Sequence, residues 1–196
     1  MCSVIMIKTL IKEIEARNKL LRTLLDPDIN GDFYNSILNT ILEVSHSKFG
    51  FIGYIDDTTG DLICPTMTHE IWNECQIPNK DIRFAYETWE NSDAAWAQCL
   101  KTGQIIVKNN ADHKVPEGHL SLERSVSIPL KISTEGRLIT IGMIGLANKE
   151  TDYTSDDVQF LEKLADTLGP MVDLKRQHPE LISEINGVTD MEYSRG

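Results

Sequence analysis

Residues 125 to 178 constrain the fold more than any other stretch. "SVSIPLKI" and "RLITIGMIGLANK" alternate apolar and polar positions with the two-residue period of a strand, and "STEG" joins them as a hairpin. "TSDDVQFLEKLADTLGPMVDLKRQ" follows as a long helix, with Val158, Leu161, Ala165, Leu168 and Val172 on its apolar face. Pro170 lies inside that pattern and is expected to kink or interrupt it, because proline lacks the N–H that the helix ladder needs.

The upstream segments fit around this unit. "DFYNSILNTILEVSHSK" reads as a helix that Asp32 can cap, apolar at Phe33, Ile37, Leu38, Ile41 and Val44. "FGFIGYID" and "GDLICPTM" flank a turn at residues 56–60 and read as another hairpin, and "QIIVKN" reads as a further strand. Residues 69 to 103 are irregular and end in a short helix, "SDAAWAQCLKTG", which Ser92 or Asp93 can cap and Gly103 can close. Helix, two strands, irregular insert, three strands and helix predict an α+β fold. Its antiparallel sheet is expected to have five to six strands, with the terminal helices on one face and the irregular helical insert on the other.

Ahead of this domain, Val4, Ile7, Ile11, Ile14, Leu21 and Leu25 recur three and four apart, with Asn18 in the same register. Valine or isoleucine at "a" positions with one asparagine among them favours a parallel two-stranded pairing. Leu10, Leu20 and Leu24 widen the stripe, which equally suits a helix packed on its own domain. Residues 1–30 are thus expected to form a dimerisation or signalling helix and its break, 31–178 the domain, and 179–196 a linker or tail.

Charge and cysteine usage narrow the function. With 30 acidic against 19 basic residues and a net charge of −11, the chain lacks the clustered cations that nucleic-acid phosphates require. Lys8, Lys12, Glu13 and Glu15 interrupt the apolar N-terminal stretch, so neither a membrane span nor a cleaved leader is expected and a cytoplasmic chain is. The four cysteines, Cys2, Cys64, Cys75 and Cys99, form no CxxC and read as reduced thiols.

The stretch "SIPLKISTEGRLITIGMIGLANKETDYTSDDVQFLEKLADTLG", with its Pro-Leu strand, hairpin, Ile-Gly-Met-Ile strand and acid-rich helix start, resembles the GAF domain, a small-molecule-sensing module of signalling proteins. The resemblance spans about residues 20 to 176, and "VPEGH" before the Pro-Leu strand is similar to GAF domains attached to histidine kinases. "NKETDYTSDD" resembles a signature of GAF domains in cyclic nucleotide phosphodiesterases and cyclases: Asn148, Lys149 and Asp157 match, Tyr153 stands for a phenylalanine, and Val158 departs from an acid. Physically it reads as a Lys149 to Asp157 ion pair tying the last strand to the last helix.

The resemblance implies a regulatory domain that binds a small molecule such as cAMP or cGMP, requires no cofactor, pairs as a homodimer and serves an attached kinase or cyclase output domain. It places the ligand between sheet and insert. Thr68, Trp72, Cys75, Trp89, Asp93, Trp96, Glu117, His119 and Arg124 are the candidate ligand-binding residues. The tryptophans suit ring stacking, the helix start near Asp93 can face an anion, and Arg124 can pair with a phosphate or carboxylate.

Two other readings of the decapeptide "HEIWNECQIP" have less support. His69 and Cys75 lack a zinc-like ligand spacing, so no metal is expected. Some GAF proteins are free methionine sulfoxide reductases, and Cys75 in "ECQIP" resembles one of their cysteine contexts, with Cys64 and Cys99 at similar distances. The position of their catalytic cysteine falls near Gly118, however, and no cysteine follows Cys99, so no enzyme activity is expected. A ligand-free dimerisation module is the remaining alternative.

Overall fold

The computed structural model describes residues 2–25, 33–68, 83–110 and 122–178, with the side chains of the first helix described from 7 to 24. Among these residues five helices, α1 (Cys2–Leu25), α2 (Phe33–Ser45), α3 (Tyr86–Glu90), α4 (Ala95–Thr102) and α5 (Ser155–Gln177), surround six strands. The strands are β1 (Phe49–Ile55), β2 (Leu62–Met67), β3 (Arg83–Phe84), β4 (Ile106–Lys108), β5 (Ser125–Thr134) and β6 (Arg137–Ala147). They form one antiparallel sheet in the order β3-β2-β1-β6-β5-β4. This is the expected α+β architecture. The hairpin turn at "STEG" is made by Glu135 and Gly136, both at positive φ.

Strand alternation sorts side chains between two cores. Ile52, Val126, Ile128, Leu130, Ile144 and Leu146 face the helices and join Ile37, Ile41, Leu161, Leu164 and Leu168 in the main cluster. Leu62, Cys64 and Met143 face the other way and pack with Trp89, Ala97, Cys99 and Leu100 beneath α3 and α4. In β2 the pairing passes from Ile63↔Tyr54 to Thr66↔Ile52, so β2 carries one extra residue at Cys64–Pro65. Proline is tolerated at such a bulge, where no ladder bond is asked of it. The bulge turns Thr66 toward α2, where its hydroxyl bonds Asn35.

Helix α5 runs from a full capping box, in which Thr154 accepts from the Asp157 N–H and Asp157 accepts from the Thr154 N–H, through to Gln177. Pro170 therefore does not break the helix as the sequence suggested. Its side is exposed to solvent, where the carbonyl it leaves unpaired can be hydrated, while Gly169 next to it faces β5. A Cβ on Gly169 would stand 2.1 Å from the Lys131 carbonyl oxygen, so glycine is what lets helix and strand backbones meet. A second correction concerns α4: its N-cap is Ala94, with no side-chain cap from Ser92 or Asp93, whereas Gly103 closes it in the left-handed conformation as expected.

Helix α1 packs on both α2 and α5 as an outer layer. Ala16 and Leu20 enter the main core, buried Glu13 pairs with Lys163 and Arg17, and Lys19 bonds Glu43. The opposite side of the same helix presents Ile7, Leu10, Ile11, Ile14 and Leu21, each 44–52% exposed, with Asn18 also exposed between them. The widened stripe thus resolves into two faces, one docked on the domain and one bearing the heptad seam. Asp32 and the break at 26–32 lie outside the described residues. Among those residues no helix is long and apolar enough to cross a membrane.

Candidate functional site

The sheet face under α3 and α4 is built from alternate residues of three neighbouring strands. Register places Phe51, Gly53 and Ile55 of β1 beside Met143 and Gly145 of β6, and Ser125, Ser127 and Pro129 of β5 beyond them. The Phe51 ring lies over Gly145, where a Cβ would run into it. Phe84 and Trp96 meet at one side of this face with ring centroids 5.2 Å apart and a 46° tilt. Among the described residues no charged side chain interrupts the middle: Lys108 lies at the edge beside Ser125, and Lys131 lies beyond Pro129. The face can hold an apolar, flat group.

Insert and sheet are tied together at the β1–β2 turn. Asp56 accepts N–H bonds from Thr58 and Thr59 at 2.9 and 2.8 Å, which close the turn. Asp61 pairs with Arg83 and accepts the Tyr86 N–H at 2.9 Å, while the Trp89 indole N–H reaches the Gly60 carbonyl at 3.0 Å. The hydrogen bond from the Tyr86 backbone N–H and the pairing with Arg83 hold the Asp61 carboxyl below its ordinary value. From the other side, Arg176 at the end of α5 pairs with Asp57 at 2.6 Å and Asp173 at 2.8 Å, and donates to the Ile55 carbonyl at 3.2 Å. One turn is gripped by both the insert and the last helix.

The candidate residues fall into different environments. Trp96 is half-buried against Phe84 on the insert side. Trp89, by contrast, is a core residue: it is buried, stands edge-on to Tyr86, and its one donor is satisfied by Gly60. Thr68 is taken up in fastening β1, accepting the Gly50 N–H at 2.7 Å and donating to the Gly50 carbonyl at 3.0 Å. Asp93 is exposed, with Gln98 donating to it at 3.4 Å. Arg124 is spent on Asp152 at 3.1 Å and Glu123 at 3.0 Å. Trp72, Cys75, Glu117 and His119 lie outside the described residues.

Lys149 and Asp157 stand 2.6 Å apart. Burial works to raise the Asp157 carboxyl, but hydrogen bonds from Lys149 and the Thr154 backbone outweigh it and hold the group below its ordinary value. Asn148 adopts φ 55° and accepts the Glu123 N–H at 2.8 Å, and the Tyr153 hydroxyl bonds Ser47 at 2.8 Å. The whole signature is consumed in joining β6 to α5 and to the β5 start. Cys64 and Cys99 are buried free thiols pushed up to about 12 by burial. Among the described residues no group of three His, Cys, Asp or Glu gathers at metal-binding distance. Sequence reasoning missed Phe51, Phe84, Met143 and Ser127 as members of one face, because only strand register brings them together.

Residues 31–173 match the family model described as GAF domain. Solved structures share the architecture. The GAF domain of a phosphoenolpyruvate-protein phosphotransferase from Coxiella burnetii superposes with a TM-score of 0.64 at 13% identity, covering 87% of this chain and 98% of that one. The A. aeolicus nlh2 GAF domain in an inactive state gives 0.61 at 18%, covering 85% and 99%. A free methionine-R-sulfoxide reductase from Neisseria meningitidis, in complex with its substrate, gives 0.53 at 17%, covering 85% and 93%. No curated protein matches the sequence.

Proposed function

The chain belongs to the GAF family, and from that premise we propose that it is a regulatory domain that binds a small molecule on the insert side of its sheet. The observation that carries the reading is the uncharged face of Phe51, Met143, Gly145 and Ser127 flanked by the Phe84–Trp96 pair. Such a face gives a ligand apolar area and stacking partners. Its described thiols, Cys64 and Cys99, are held protonated by burial, which pushes both up to about 12. This supports a sensor over a reductase.

A cyclic nucleotide is the first ligand to test. The Phe84–Trp96 pair supports it by offering a surface for a purine ring, whereas Asn148, Lys149 and Asp157, which suggested it by motif, have structural partners. Transmission would run through the β1–β2 turn: a ligand that moves the insert pulls on Arg83, Tyr86 and Trp89, and Arg176 carries the change to the end of α5. The ligand must favour one arrangement of that turn over another, or nothing is passed on. The exposed seam of α1 supports a homodimer contact, and the terminal helices are where an output domain would attach.

A thermal-shift panel of cAMP, cGMP, other nucleotides and amino acids tests the reading. A ligand at about 100 times its Kd adds about 2.7 kcal/mol. The shift should vanish in Trp96→Ala. Silence across the panel, or a shift that Trp96→Ala leaves intact, counts against this site.

A further inference from the structure

Seven polar or charged residues are buried among the described ones, and the side chains of six are hydrogen-bonded or ion-paired. Glu13 pairs with Lys163, Thr23 and Thr40 bond the carbonyls one turn back, Ser45 and Ser47 bond each other, and Thr66 bonds Asn35. Ser127, 5% exposed, is the exception: among the described residues its hydroxyl has no hydrogen-bond partner. Its surroundings explain why. Its cross-strand neighbours are Gly145, which has no side chain, and Ile106, whose side chain has no polar atom. On its own strand the next residues of the same face are Pro129 and Ser125, roughly 7 Å away at strand spacing.

A buried hydroxyl left without a partner is destabilising, and native proteins hold such groups where something else uses them. Serine is not needed there for packing, since alanine would fill nearly the same volume. Register aims the Ser127 side chain to the same face as Phe51, toward the insert and away from Val126 and Ile128 in the helix-side core. We propose that Ser127 is the polar anchor of the ligand site, and that the part of the ligand that enters it is an uncharged, flat ring whose one inward hydrogen-bonding group meets this hydroxyl. The proposal rests on the reading of this face as the binding face. It deepens that reading by naming the group that orients the ligand: the apolar neighbours accept a ring, and the hydroxyl selects rings that carry a carbonyl, amide or hydroxyl at the right edge. Among the described residues an ionised group at that point would find no countercharge, because Lys108 and Lys131 stand at the ends of the face.

Two measurements on the full chain test it. In thermal melts without added compound, Ser127→Ala should raise the Tm by about 2–4 °C, the shift that relief of one unpaired buried hydroxyl gives in a chain of this size. Ser125→Ala, on the same strand and face, should leave the Tm unchanged. A fall in Tm for Ser127→Ala would mean that the fold itself satisfies the hydroxyl, and would overturn the proposal. In NMR titrations, benzamide should bind about fivefold more tightly than toluene, the worth of one hydrogen bond, and Ser127→Ala should erase the difference. Equal binding of both probes at Phe51 and Gly145 would leave the ligand face standing and overturn the role of Ser127. Absence of both probes from this face would overturn the proposal together with the binding face.

Discussion

Gly169→Ala and Pro170→Ala, adjacent substitutions to the same residue in one helix, should change stability in opposite directions. By helix propensity alone, replacing glycine with alanine gains about 1 kcal/mol. At 169 the new Cβ would stand 2.1 Å from the Lys131 carbonyl oxygen, with the Lys131 backbone N and C each 3.0 Å away. Ordinary contact requires about 3.5 Å, so helix and strand must part by roughly 1.4 Å, and no side chain can rotate to make room. Overpacking costs about 1–3 kcal/mol, and a backbone obstacle puts this site in the upper half of that range. The net is a loss of about 1–2 kcal/mol, or a Tm lower by about 2–8 °C. Pro170 faces solvent, and alanine there restores an N–H to the ladder without meeting a neighbour, so the Tm should rise. Melting followed by circular dichroism reads both. A higher Tm for Gly169→Ala would refute the close docking of α5 on β5, and a lower one for Pro170→Ala would refute the account of why the helix survives its proline.

Trp89→Phe keeps an aromatic ring but loses the second ring of the indole and its bond to Gly60, and is expected to cost about 1–3 kcal/mol in denaturant unfolding; an unchanged midpoint would contradict the placement of Trp89 in the core. Asp157 has a depressed folded-state pKa, so its contribution is present above the unfolded value near 4 and is lost as pH falls through the lower folded one. Asp157→Asn should therefore lower stability at pH 7 by about 1–2 kcal/mol and flatten the acid limb below pH 4, whereas parallel limbs would contradict the assignment. Ile14→Asp on the outer face of α1 should leave the fold intact and shift the light-scattering mass from dimer to monomer; a wild-type chain monomeric at high micromolar concentration would remove the seam as a dimer contact. Cys64 and Cys99 should resist a thiol reagent until the chain unfolds, and prompt reaction of either would reopen thiol chemistry at this face.

The parts of the fold legible in the sequence are those that local rules determine. Alternation in "RLITIGMIGLANK" and the glycine after "STE" defined the β5–β6 hairpin, and the heptad spacing from Ile7 to Leu21 marked an apolar face that the structure leaves exposed. Lys149 and Asp157 were eight residues apart across a loop to a helix start, a spacing that invites pairing, and they stand at ion-pair distance. Tertiary context decided the rest. Nothing local distinguishes Trp89 from Trp96, and the difference is that one indole N–H finds Gly60 while the other ring meets Phe84. Arg124 looked available to an anion because Asp152 lies 28 residues downstream. Pro170 looked like a helix breaker because its exposure was not visible. Ser127 was invisible as a site residue because its isolation depends on Gly145 and Ile106, which belong to two other strands.

The most direct test of the binding face is a ¹⁵N–¹H correlation spectrum of the assigned full chain, recorded with and without each compound of the cyclic nucleotide, nucleotide and amino-acid panel. The account predicts a compound whose saturable shifts centre on Phe51, Ser127, Met143 and Gly145 and extend through the β1–β2 turn to Arg176. Saturable shifts confined to the outer face of α1, or a sheet face untouched by every compound, would contradict it.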